Sequence, residues 1–176
     1  ALRLRRFVAS FYFVGTLAFN SSNQLNTKVN CVRSASFSSS AAFFVVAALI
    51  NPHSKTRLEL KGVCLNPTRT GFLSVLQRMG GKIKISNRRL LCGEPVGDLV
   101  VVPSKLKGVR VGGKIVPHLI DEVPILAVAG ACAQGRSEFK DMAELRVKET
   151  DRIATLEKNL RRLGIRFVSG KESFKI

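Results

Sequence analysis

Glu144-Leu145-Arg146-Val147-Lys148-Glu149-Thr150-Asp151-Arg152 crowds acids and bases together at the point where a strand-like pattern gives way to a helical one. Ile153, Leu156, Leu160 and Leu163 follow at i, i+3, i+7 and i+10, the stripe of an amphipathic helix whose polar face carries Glu157, Lys158, Arg161 and Arg162. Thr150 or a neighbour is expected to cap this helix, with Asp151 in the first turn and Gly164 closing the far end. The charged run then sits at a helix start, where unpaired backbone N–H groups and the positive end of the helix dipole attract anions. Lys148 and Arg152 would form a pocket for phosphate or carboxylate there, with Glu149 between them. The same spacing also suits a solvated helix start laced with ion pairs, and spacing alone leaves both readings open.

Upstream, the pattern is orderly from Ala41. The apolar run Ala41 to Ile50, ended by Asn51-Pro52, reads as a buried helix. Arg57 to Val63 alternates as a strand with Leu58, Leu60 and Val63 inward. Thr68 to Met79 has helical spacing, with Asn66 or Thr68 as its cap, and stops at Gly80-Gly81. Lys82 to Ile85 and Leu99 to Val102 read as strands. The second half repeats the first: Val123 to Ala133 as buried helix, Glu138 to Met142 as strand, Asp151 to Leu163 as amphipathic helix, Gly164 as stop and Ile165 to Val168 as strand. Leu58/Leu60 corresponds to Ser137/Phe139 at an offset of 79, and Met79-Gly80 to Leu163-Gly164 at an offset of 84. A period near these values predicts a duplicated α/β unit.

The run from Glu144 to Arg152 resembles the E-L-R-V-K-E-[ST]-D-R signature of the 3-phosphoshikimate 1-carboxyvinyltransferases, the 5-enolpyruvylshikimate-3-phosphate synthases of the shikimate pathway. Leu119-Ile120-Asp121-Glu122-Val123-Pro124 resembles the family's L-I-D-E-x-P segment, and Asn66-Pro67-Thr68-Arg69-Thr70-Gly71 also matches, as a structural helix start. Ser39-Ser40-Ala41-Ala42-Phe43 is similar to the end of the family's G-D-x-S-S-A-x-x-F segment, although Ser36 and Phe37 stand where Gly and Asp are expected. The resemblance implies an α/β chain of repeated βαβαββ units, forming an incomplete single domain over residues 38–176, behind an unassigned basic leader over 1–37.

The resemblance further implies transfer of the enolpyruvyl group of phosphoenolpyruvate to the 5-hydroxyl of shikimate-3-phosphate through a tetrahedral ketal. Asp121 and Glu149 would move protons, Lys148 would meet shikimate-3-phosphate near its reacting hydroxyl, Arg152 would clamp phosphoenolpyruvate, and Ser40 would meet the shikimate phosphate. No cofactor or metal is implied, and the full-length protein is expected to be a monomer. On the residues alone, Asp121 and Ser40 suit helix N-caps equally well. The family's Lys-Ser, Ser-Ser-Gln and N-D-H-R-x-A-M segments are absent from the chain, so a partial enzyme, inactive alone, is the expectation. A nucleotide-sugar enolpyruvyl transferase would share the repeats but is not expected to carry the Glu144–Arg152 run.

Composition is globular: 176 residues, 45% hydrophobic and 23% charged. A net charge of +17 points to anionic partners, whether phosphorylated metabolite, nucleic acid or membrane surface. The cations are scattered and Tyr12 is the only tyrosine, so the aromatic interleaving of a single-strand nucleic-acid surface is missing. A basic nucleic-acid-binding module therefore rests on charge alone. Cys31, Cys64, Cys92 and Cys132 form no C-x-x-C or Cys/His cluster, and they read as reduced thiols of a cytoplasmic protein. His53 and His118 read as loop residues beside prolines and are given no chemistry. No acid precedes Glu59, and Arg3, Arg5 and Arg6 open an apolar stretch from Phe7 to Phe19 that is too short to span a bilayer as a helix. That acid-free leader keeps a plastid transit peptide as the alternative location.

Overall fold

A computed structural model describes residues 29–33, 38–51, 57–148 and 150–176. The leader residues 1–28 and 34–37, His53 and Glu149 lie outside the described residues. The first half runs β1 (Val29–Arg33), α1 (Ser38–Ile50), β2 (Arg57–Cys64), α2 (Gly71–Arg78), β3 (Lys82–Leu91) and β4 (Glu94–Val102). The second runs β5 (Arg110–Val111), α3 (Val123–Cys132), β6 (Glu138–Phe139), α4 (Arg152–Arg162), β7 (Val168–Ser169) and β8 (Phe174–Lys175). Short 3-10 turns at Gly113–His118 and Ile120–Glu122 precede α3, and another at Ala143–Arg146 precedes α4.

The duplication expected from the sequence is visible in the topology. The sheets have the orders β1-β2-β4-β3 and β5-β6-β8-β7. In each, the first two strands are parallel and the remaining pairings antiparallel. Parallel neighbours need a crossover, which α1 and α3 supply, whereas β3 and β4 are joined by a tight turn. Each half is therefore a βαβαββ unit.

Both crossover helices are apolar along most of their length, α1 after its opening serines, and bury most of their side chains, although Phe43 of α1 is exposed. Ala41, Ala42, Val45, Val46 and Leu49 of α1 and Val123, Leu126, Ala127 and Ala129 of α3 belong to one buried core, and the two helices pack on each other. In β2 the alternation holds, with Leu58, Leu60 and Val63 buried. The second sheet is anchored by Phe139 and Phe167, which stack on Phe174 at centroid distances of 4.6 and 5.1 Å.

The helix stops repeat in atomic detail. Gly80 has φ +88 and Gly164 φ +75, and the next residue in each case donates back five positions, Gly81 N to Leu76 O at 2.9 Å and Ile165 N to Leu160 O at 3.0 Å. This is the left-handed glycine ending that turns a helix into the following strand. Several boundaries differ from the sequence expectation. Helix α2 begins at Gly71 and not Thr68; Asn66 Oδ1 instead accepts from Thr68 N at 3.0 Å and closes a turn ahead of it. β3 and β4 run on into a long exposed hairpin. β6 stops at Phe139, because Asp141 adopts φ +60 and bends the chain away from the ladder. β7 starts at Val168, after the turn that Gly164 sets.

Asp98 on the central strand β4 ties both bulges of the first sheet. It accepts from Gly62 N at 2.9 Å on one side and from Asn87 Nδ2 at 2.9 Å on the other. Those bonds, Asn87 foremost and Gly62 next, hold its carboxyl below the usual range, aided by Lys61 and Arg89.

Candidate active site

The loop between the Ala143–Arg146 turn and α4 is held at both ends. Arg146 donates from Nε to Lys171 O at 2.6 Å, from NH2 to Gly170 O at 2.5 Å and from NH1 to Asp151 Oδ2 at 2.7 Å. Asp151 Oδ1 accepts from Ala154 N at 2.9 Å. Asp151, with extended φ and ψ, is therefore the N-cap, the neighbour of Thr150 that the sequence allowed for, and not a residue inside the first turn as expected. An aspartate reaches the N–H of the third helical residue when its own backbone is still extended. The Ala154 bond is the main cause holding the Asp151 carboxyl below its ordinary value, with Arg146 next. Arg146 and Asp151 thus shape the loop.

Between these anchors, the remaining cations converge on Asp121. Lys148 Nζ lies 3.6 Å and Arg152 NH1 3.5 Å from Asp121 Oδ1. Lys148 Nζ also lies 3.0 Å from Glu144 Oε1. The bond to Glu144, and then the charge of Asp121, raise the Lys148 ammonium above its ordinary value, so it stays charged throughout the neutral range. Asp121 sits in the 3-10 turn Ile120–Glu122 and makes no side-chain cap to α3. The cap alternative for it is therefore corrected: the turn points its carboxylate outward, at 58% side-chain exposure, toward the start of α4. The starts of α3 and α4 are the matching ends of the crossover and amphipathic helices, which is how residues 31 positions apart meet. Glu149 lies outside the described residues.

Ser40 is exposed in the first turn of α1, while its neighbour Ser39 turns inward and donates to Glu122 Oε1 at 2.5 Å. Glu122 is buried, and burial, more than any other influence, raises its carboxyl above the ordinary range; Ser39 pulls it down and Asp121 pushes it up. Beside these residues a polar depression of about 260 Å³ is lined by Ser39, Thr68, Arg69 and Pro117 to Glu122. Asp121 thus belongs both to this depression and to the pair of cations. Glu122, Ser39, Glu144 and Arg146 were not singled out from sequence. Among the described residues no group of His, Cys, Asp and Glu is placed to hold a metal ion, and no helix is long and apolar enough to cross a membrane.

Asp121 is thus an outward carboxylate between two cations, on matching ends of the repeated units. The family model of EPSP synthase (3-phosphoshikimate 1-carboxyvinyltransferase) matches residues 33–176. The chain belongs to the EPSP synthase family. The 3-phosphoshikimate 1-carboxyvinyltransferase of Geotalea uraniireducens is 52% identical over 138 residues, covering 78% of this chain and 32% of that protein. That of Petrotoga mobilis is also 52% identical, with the same coverage of each. Among solved structures, EPSP synthase from Acinetobacter baumannii superposes with a TM-score of 0.77 at 40% identity, covering 80% of this chain and 32% of that one. The enolpyruvyl transferase NikO from Streptomyces tendae, at 16% identity and a TM-score of 0.55, covers 78% of this chain and 29% of its own, and shares the fold. The chain spans about a third of the length of the EPSP synthase relatives it matches.

Proposed function

We propose that this chain supplies one wall of an active site that moves the enolpyruvyl group of phosphoenolpyruvate to the 5-hydroxyl of shikimate-3-phosphate. The working part is a partial domain that takes in residues 38–176 and also β1 (Val29–Arg33), a strand of the first sheet that the sequence pattern leaves in the leader over 1–37. The acceptor hydroxyl adds to C2 of phosphoenolpyruvate while C3 takes a proton, giving a tetrahedral ketal. Loss of phosphate and of a methyl proton then completes the transfer. Two anionic substrates must be brought together and protons moved in both directions, which demands fixed cations beside proton-carrying groups. The observation that carries this reading is Asp121 Oδ1 standing within 3.6 Å of Lys148 Nζ and 3.5 Å of Arg152 NH1.

In this reading Arg152 clamps phosphoenolpyruvate and Lys148 meets shikimate-3-phosphate near its reacting hydroxyl. Asp121 and Glu149 exchange the protons, and Ser40 offers its exposed hydroxyl to the shikimate phosphate. The partners are these small molecules and not nucleic acid, the complete protein is a monomer, and it works in the cytoplasm. Family membership, the placement of Asp121, Lys148 and Arg152, and the charge balance support it.

A coupled assay of phosphate release from phosphoenolpyruvate and shikimate-3-phosphate tests the division of labour. The 176-residue chain is expected to show no turnover alone while binding phosphoenolpyruvate in calorimetry. Robust turnover by the isolated chain would overturn the incomplete-site part. Absence of saturable binding, or binding unchanged by Arg152→Ala, would overturn the assignment of the cradle.

A further inference from the structure

Glu122 follows Asp121 in the chain yet is 5% exposed and faces the seam between the two repeats. Its Oε1 is held by Ser39 Oγ across 83 residues of sequence. Ser39 stands in the first turn of α1, in the first unit, and the Ile120–Glu122 turn of the second unit packs against that helix. The other charged groups acting on Glu122 are Asp121 in the same turn and Arg69 ahead of α2. Enclosing a carboxylate is costly, and an apolar side chain of similar size would fill the seam without that cost. What the carboxylate adds is a directional bond.

We propose that Glu122 is a positioning residue: its bond to Ser39 pins the Ile120–Glu122 turn to the first turn of α1 and thereby aims Asp121 at Lys148 and Arg152. Two adjacent acids divide the work, one facing the site and the other fixing the direction in which the first one points. The serine pair of α1 divides similarly, Ser39 inward and Ser40 outward. The proposal rests on the reading of Asp121 as a proton-carrying group for its functional meaning, although the geometry stands apart from any substrate.

The test is the ¹³Cε titration of Lys148 in the 176-residue chain, since Asp121 is one of the groups that raise its ammonium. Asp121→Asn fixes how far the midpoint falls when that carboxylate is lost. Ser39→Ala, which removes a single hydroxyl, is expected to lower the midpoint by a comparable amount. Ser39→Thr is expected to restore it, and Glu122→Gln, whose amide oxygen still accepts from Ser39, to leave it as in the wild type. Thermal melts alongside establish that each variant is folded. A folded Ser39→Ala chain titrating like the wild type would overturn the proposal, as would a fall in Glu122→Gln as large as that in Asp121→Asn. Should phosphoenolpyruvate fail to bind the wild-type chain, the functional reading falls while this titration is untouched. Should Asp121→Asn itself leave Lys148 unmoved, both fall together.

Discussion

Single side chains decide how this surface behaves, and the two adjacent acids show it best. Asp121 is an outward carboxylate whose value lies in its two cationic neighbours, whereas Glu122 is enclosed and burdened by its own charge. Because burial raises the Glu122 pKa above its ordinary 4.5, its contribution to stability is fully present below that pH and is lost as pH rises through the folded value. Asp98 has the opposite sign: its lowered pKa gives stability that is present above 3.8 and lost as pH falls through the folded value. Melting temperature against pH is therefore expected to sag toward neutrality in the wild type. Glu122→Gln should flatten that limb, and Asp98→Asn the acid limb. A Glu122→Gln chain that sags as the wild type does would show that Glu122 is not buried in its charged form. For the cations, Arg152→Ala is expected to weaken phosphoenolpyruvate binding roughly ten- to hundredfold, the usual worth of a charge-assisted hydrogen bond.

Among the elements, the glycine stops and the cap of α4 do the most to place the site. A Cβ at Gly80 would make only an ordinary contact with Lys105 O at 3.8 Å and one at Gly164 would meet nothing, so substitution by alanine carries only the conformational penalty of φ +88 and +75. Each is expected to cost about 1–2 kcal/mol in urea unfolding. An unchanged midpoint would mean that the following strand does not depend on the left-handed turn. Asp151→Ala removes both the cap and the carboxylate partner of Arg146, whose bonds to Gly170 O and Lys171 O remain. Amides at the start of α4 should then lose hydrogen-exchange protection while those of α1 and α3 keep theirs.

Much at this scale was legible in the sequence. Apolar runs over α1 and α3, the alternation of β2 and the two glycines all report local physics that the fold preserves. The short strands β5 and β8 were not legible, and β7 was expected a few residues early, at Ile165 to Val168, because two paired residues are defined by their partners and leave no periodic trace. In the site, the charged run and Asp121 could be read as chemistry. The inward turn of Ser39 and the burial of Glu122 could not, since both depend on how one repeat seats against the other. Nor could the anchoring role of Arg146, whose carbonyl partners Gly170 and Lys171 come from a turn too distant to infer.

Across the whole molecule, two βαβαββ units are joined through one apolar core, and the starts of α3 and α4 bring Asp121 to Lys148 and Arg152. Truncating a residue at the heart of that core should loosen both units together. Leu126→Ala, at a fully buried position of α3, is expected to cost about 2–5 kcal/mol in a single unfolding transition. Two separate transitions would show that the repeats fold independently. The central claim, that the cations at the mouth of α4 form an anion cradle around Asp121, is tested most directly by nuclear magnetic resonance of the side-chain nitrogens of Lys148 and Arg152 during a phosphoenolpyruvate titration. Saturable shifts at these two groups, with Arg146 and the hairpin cations Arg88 and Arg89 unmoved, are the expected result. Shifts spread evenly over the basic surface and abolished by moderate salt would contradict it.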